Sequence, residues 1–140
     1  MTKSTTNEAD VGPFDLSVTP IHMDSEGPAV PLHEFGFDGP SFGAYIGTHC
    51  AQDPARIVMV ETSPATWTHW ERHTLADEIV IVLEGEADFI QEISGKEIVL
   101  PVKAGSTIIN SKGVWHTANV SEALKAIYIT PCKGTEHRER

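Results

Sequence analysis

Residues 69–86 read HWERHTLADEIVIVLEGE, and this stretch decides the fold. Its second half, Glu78–Leu83 (EIVIVL), is nearly pure β-former and runs into a turn at Gly85. In an extended strand alternate residues share a face. Trp67, His69, Glu71 and His73 then line one side, and Trp70 and Arg72 point to the other. Glu71 and His73 fall ~6.6 Å apart along such a strand, close enough to meet one ion, whereas His69 and His73 fall ~13 Å apart. Glu78 opens the following strand five residues past His73. A carboxylate heading an apolar run is costly to bury unless something neutralises it, and a divalent ion does so.

Working outward, the strand-and-turn rhythm continues on both sides. Arg56–Glu61 (RIVMVE) follows the turn-forming Asp53-Pro54, and Ala65–His73 is polar and aromatic. Ala87–Glu92 follows Gly85, with Glu84-Gly85-Glu86 as a hairpin turn. Then come Glu97–Leu100, Thr107–Asn110, Val114–Val120 and Leu124–Thr130, most of them preceded by a glycine-bearing turn. Strands recurring roughly every 8–12 residues predict an all-β sandwich or small barrel. The one helix-like stretch, Ser121–Lys125, is too short to stand alone. Residues 1–30 are expected as an irregular N-terminal tail or arm, 31–135 as a single β-barrel and 136–140 as a C-terminal tail. Pro28, Pro31, Gly36, Gly39 and Pro40 predict irregular chain with at most one short strand.

A second chemistry-bearing segment, Ala104–Val120 (AGSTIINSKGVWHTANV), places His116 beside Trp115 in a strand after a Ser-Lys-Gly turn. Taken together the two segments resemble the cupins, small β-barrels with one motif G-x5-H-x-H-x3,4-E-x6-G and another G-x5-P-x-G-x2-H-x3-N. This chain has Glu71-x-His73, four residues, Glu78, six residues and Gly85. It then has Gly105, five residues, Ser111-x-Gly113, two residues and His116. Departures are Ala65 for the first glycine, Glu71 for the first histidine, Ser111 for the proline and Val120 for the closing asparagine, with Asn119 beside it.

The resemblance implies a cupin-type jelly-roll β-barrel, or double-stranded β-helix, carrying one divalent metal ion per chain. It implies Glu71, His73, Glu78 and His116 as the metal ligands. Two carboxylates make that set formally neutral with a divalent ion, and two imidazoles with two oxygens suit Fe, Mn, Co, Ni or Zn. Alternatively Glu71 pairs with a lysine or arginine and leaves three ligands. Small bacterial cupins with this Glu-x-His variant look similar. The family implies dioxygenases, decarboxylases, isomerases and epimerases, and the neutral ligand set favours a dioxygenase or a Lewis-acid lyase or isomerase.

Around these ligands, His69 is the candidate catalytic acid–base group, and Trp67, Trp115 and Tyr128 are the candidate substrate contacts. His22, His33, His49 and His137 are expected as ordinary hydrogen-bonded or exposed residues. The rival functions are a non-catalytic module sensing a metal or small molecule, and a purely structural barrel, against which the two carboxylates argue.

Composition narrows the partners. The 140 residues carry 10 basic and 20 acidic side chains, for a formal charge of −10. Such a surface disfavours nucleic acid and anionic membranes but admits a small-molecule ligand. No apolar run reaches the ~18–20 residues of a membrane span, and residues 1–10 have no signal-peptide character. Cys50 and Cys132 fit no zinc motif and are expected as reduced thiols in a cytoplasmic protein, with a bridge between them the open alternative. A homodimer is expected, because open sheet edges need cover.

Overall fold

The computed structural model describes residues 10–51 and 55–140. The expected tail over residues 1–9 and the Asp53-Pro54 turn lie outside the described residues. Nine strands and one helix follow in the order β1 (Ile21–Met23), β2 (Ala29–Pro31), α1 (Gly39–His49), β3 (Arg56–Ser63), β4 (His69–His73), β5 (Glu78–Ile93), β6 (Lys96–Lys103), β7 (Thr107–Asn110), β8 (Trp115–Pro131) and β9 (Thr135–Glu139) among the described residues. One path of neighbours runs β2-β1-β3-β8-β4-β9, and β5 joins it to β6 and β7 through β8. Every pairing is antiparallel. No helix among the described residues is long and apolar enough to cross a membrane.

Period-2 alternation builds the barrel. In the first half of β5, Glu78, Val80 and Val82 are buried while Ile79 and Ile81 are half-buried. Beyond Gly85 the inward set shifts to Ala87, Phe89 and Gln91. The change of parity sits at the register shifts between Val82 and Ala87, so one sixteen-residue strand carries two opposed alternations. The expected Glu84-Gly85-Glu86 hairpin is therefore a bulge inside a continuous strand. Gly85 has φ +88° there, and a Cβ would run into the Ala123 carbonyl. Opposite it, Ser121, Glu122 and Ala123 are all exposed, which broke β8 into two strands and a helix-like stretch at the sequence level. Phe89, Leu124, Val80, Val82, Ala118 and Ala126 fill the interior.

Several expectations are corrected. Helix α1 begins at the end of the stretch expected as irregular and was not expected, the one helix-like stretch read in the sequence being Ser121–Lys125. Asp38 caps α1 by accepting from the Ser41 amide, at 2.8 Å, and Pro40 sits in its first turn. Gly39, Gly43 and Gly47 hid it, since each glycine weakens helix propensity by about 1 kcal/mol. Strand β1 lies within residues 1–30, expected as an irregular arm, and β9 runs from the end of the expected barrel into residues 136–140, expected as a tail. Both are short, and β9 (TEHRE) has no apolar residue to betray it. Finally, Cys50 and Cys132 form a disulfide that ties the end of α1 to the end of β8. That replaces the two reduced thiols and removes the compartment argument built on them.

Candidate metal centre

Cross-strand register assembles the site. Glu71 of β4 pairs with His116 of β8, and Glu78 of β5 pairs with Asn110 of β7. Four ligand atoms, one each from Glu71, His73, Glu78 and His116, lie within 4.8 Å of one another. The His73 Nε2 is 3.1 Å from Glu71 Oε1 and 3.2 Å from Glu78 Oε2. The His116 Nε2 is 3.6 Å from Glu78 Oε1 and 3.9 Å from Glu71 Oε1. His73, Glu78 and His116 are at most 2% exposed. Neither imidazole Nε2 has a hydrogen-bond partner.

Each ligand is held from behind. The His116 Nδ1–H donates to the Val114 carbonyl at 3.4 Å, leaving the Nε2 lone pair facing inward. His73 Nδ1 lies 2.9 Å from Thr135 Oγ1. Glu78 Oε1 accepts from the Asn110 amide at 2.9 Å, and Glu78 Oε2 accepts from the Thr130 hydroxyl at 2.7 Å. Gln91 Nε2 in turn donates to Asn110 Oδ1 at 3.0 Å and to the Ile109 carbonyl at 2.8 Å. The Gly113 amide donates to the His73 carbonyl at 2.7 Å, so the turn before His116 is pinned to the strand carrying Glu71 and His73.

Electrostatics follow from this crowding. Burial pushes the Glu71 carboxyl up, but the facing imidazoles, His73 first, outweigh it and draw it down to about 2. Burial pulls His73 down, and the facing Glu71 and Glu78 carboxylates outweigh this and raise it to about 9. His116, buried, stays below its ordinary value. Two carboxylates thus face two imidazoles whose inward nitrogens make no hydrogen bond. That donor set fits a divalent cation of the Fe, Mn, Co, Ni or Zn type.

A cavity of about 460 Å³ opens beside the cluster, bordered by Glu71, Glu78, Trp67 and Tyr128, with Phe42, Tyr45 and Ile46 of α1 across it. Trp67 and Tyr128, two of the candidate substrate contacts, are on this border. Trp115, the third, is not. It faces the outer surface, with the Arg72 and Arg138 guanidiniums 4.5 Å and 4.6 Å from its ring centroid. The alternation that turns His116 inward turns its neighbour outward. His69 does not line the cavity. It stacks beside Trp67, with ring centroids 6.3 Å apart, and against His137 at 5.0 Å.

Sequence reasoning missed Asn110 and Gln91, as well as Glu61 and His137. Glu61 also borders the cavity. Burial, and then Glu71 and Glu78, push its carboxyl above the usual range. Its parity with Ile57 and Met59 in β3 was the available signal. His137, expected as an ordinary hydrogen-bonded or exposed residue, has its Nε2 3.1 Å from Glu71 Oε2 and forms a second cluster with His69 and Glu71. Nothing short of the β4–β9 pairing reveals it.

No known family model matches the sequence, and no curated protein does. Solved structures do. A protein with a double-stranded β-helix domain from Klebsiella pneumoniae superposes with TM-score 0.50 at 23% identity, over 61% of this chain and 76% of that one. Salicylate 1,2-dioxygenase from Pseudoaminobacter salicylatoxidans superposes with TM-score 0.51 at 10% identity, over 62% of this chain and 24% of that one. Hydroxypropylphosphonic acid epoxidase from S. wedmorenis gives TM-score 0.46 at 14% identity, too distant to carry an argument. The match covers 54% of this chain and only 43% of the epoxidase. The chain has the double-stranded β-helix fold.

Proposed function

We propose that Glu71, His73, Glu78 and His116 hold one divalent metal ion per chain. The protein is then a metal-dependent enzyme acting on a small oxygen-rich or carbonyl-bearing molecule, of the dioxygenase or Lewis-acid lyase/isomerase type. The observation that carries this reading is the pair of buried imidazole Nε2 atoms, His73 and His116, without hydrogen-bond partners and facing two carboxylates. Leaving such groups unpaired costs roughly 1–3 kcal/mol each, a cost that ligation removes. A bound divalent ion supplies Lewis acidity toward a substrate oxygen.

The chain's own groups supply the rest. Trp67 and Tyr128 border the cavity with planar apolar surface, and α1 across it limits water. Glu61 keeps its proton to a higher pH than an exposed carboxylate, which suits it to donate one to a substrate oxygen. His69, beside Trp67 and His137, is the candidate acid–base group outside the cavity lining. The test is turnover: metal-loaded protein, assayed against a panel of small enediols, hydroxy acids and dihydroxyaromatics, consumes dioxygen or rearranges one of them. Tight binding without turnover across the panel would favour the rival reading, a sensing module. We also propose a homodimer, which sedimentation velocity checks: a mass near twice 15.3 kDa is expected and a monomer contradicts it.

A further inference from the structure

We propose that strand β9 is the orienting brace of this metal centre, with His137 and Thr135 as positioning residues for the two ligands on β4. The inference rests on the metal reading above and goes beyond it, because neither residue belongs to the ligand set.

The register carries the argument. Strand β9 pairs with β4 so that Glu71 faces His137 and His73 faces Thr135. Residues two apart share a strand face, so both braces meet both ligands from the same side. His137 Nε2 lies 3.1 Å from Glu71 Oε2, while Glu71 Oε1 is the oxygen turned toward His73 and His116. One carboxylate oxygen is thus held by a donor and the other is presented inward. A glutamate side chain has three rotatable bonds, and this hydrogen bond removes the freedom that would otherwise blur its position. Thr135 does the equivalent for His73. Its Oγ1 lies 2.9 Å from Nδ1, and this contact fixes the ring with Nε2 turned inward.

The opposite face of β9 explains why so polar a strand holds its place. Arg138 lies over the Trp70 and Trp115 rings, 5.0 Å and 4.6 Å from their centroids, and its guanidinium meets Glu92 at 2.6 Å. Glu136 pairs with Arg72 at 3.2 Å. Arg140 donates to the Trp67 carbonyl at 3.1 Å and to Asn119. One face of TEHRE anchors the strand on the barrel and the other orients the ligands.

The experiment is a Co(II) titration of the full-length metal-free protein, followed by the visible ligand-field bands, for wild type, His137→Ala, His137→Gln, Thr135→Val and Thr135→Ser. A lost outer hydrogen bond of this kind costs about 10–100-fold in metal affinity. His137→Ala and Thr135→Val are expected to weaken binding by that factor and shift the bands. His137→Gln, which keeps a donor, and Thr135→Ser, which keeps the hydroxyl, are expected to recover most of both. In a Glu71→Ala background, His137→Ala is expected to cost nothing further. Thermal unfolding of the metal-free variants separates bracing from mere folding, since a structural role would lower it in step with affinity. Unchanged affinity in His137→Ala and Thr135→Val, or the same loss with Glu71 absent, overturns the proposal and leaves the metal centre standing. A second Co(II) equivalent lost with His137→Ala also overturns it, in favour of an ion held by His69, Glu71 and His137. If wild type takes up no Co(II), the metal reading fails and this inference falls with it.

Discussion

Asn110 is wholly buried and lies between two polar neighbours, donating to Glu78 and accepting from Gln91. Its replacement by alanine leaves a carboxylate oxygen and an amide short of a partner inside the barrel. An unfolding free energy lower by about 1–3 kcal/mol is expected in metal-free protein by urea denaturation. A second residue-scale prediction concerns pH. His22 Nδ1 is 2.6 Å from the Tyr45 hydroxyl, its Nε2 is 3.5 Å from Asp24, and the His49 ring lies 5.2 Å away. Burial holds His22 below its ordinary value of 6.5, so the unfolded chain takes up the proton first as pH falls. The stability it contributes is therefore present above pH 6.5 and lost as pH falls through the lowered value. Denaturation at pH 8 and pH 5 is expected to show a smaller difference for His22→Gln than for wild type. At this scale spacing brought Glu71 and His73 together, and the resemblance to the cupins implied Glu71, His73, Glu78 and His116 as one set. The sequence hid Asn110 and His137, because a polar residue inside a strand reads the same whether it faces solvent or a buried carboxylate.

At the scale of elements, the informative failures occur where alternation breaks. Gly85 lets β5 change which parity faces inward, and the reading of two strands joined by a hairpin follows directly from that break. The same geometry makes a prediction. With φ +88° and the Ala123 carbonyl in the way of any Cβ, Gly85→Ala combines a disfavoured backbone region with a backbone clash. It is expected to destabilise the protein by at least about 1–3 kcal/mol, measured as a lowered urea midpoint at unchanged slope. An unchanged midpoint would mean that β5 and β8 part locally at no cost. Helix α1 and strand β9 stayed hidden for different reasons. Glycines masked the helix, and β9 draws its hold from arginine–tryptophan stacking and ion pairs, which leave no hydrophobic period.

For the whole molecule, two halves of the chain separated by dozens of residues converge on one point. Strand β4 and the head of β5 bring three candidate ligands, β8 brings the fourth, and the barrel closes around them with a cavity of about 460 Å³ alongside. The all-β reading from strand spacing holds at this scale, because spacing and turn placement survive errors in individual boundaries, and so does the jelly-roll form that the resemblance implied. The pairing of Cys50 with Cys132 was beyond reach, since a contact across 82 residues has no local signature. Elemental analysis of untagged protein tests the central claim most directly, in wild type and in His116→Ala. The account predicts close to one Fe, Mn, Co, Ni or Zn per wild-type chain and loss of that metal in His116→Ala, with the variant still folded by circular dichroism. Wild-type protein that carries no such metal and takes none up from a competing panel would contradict it.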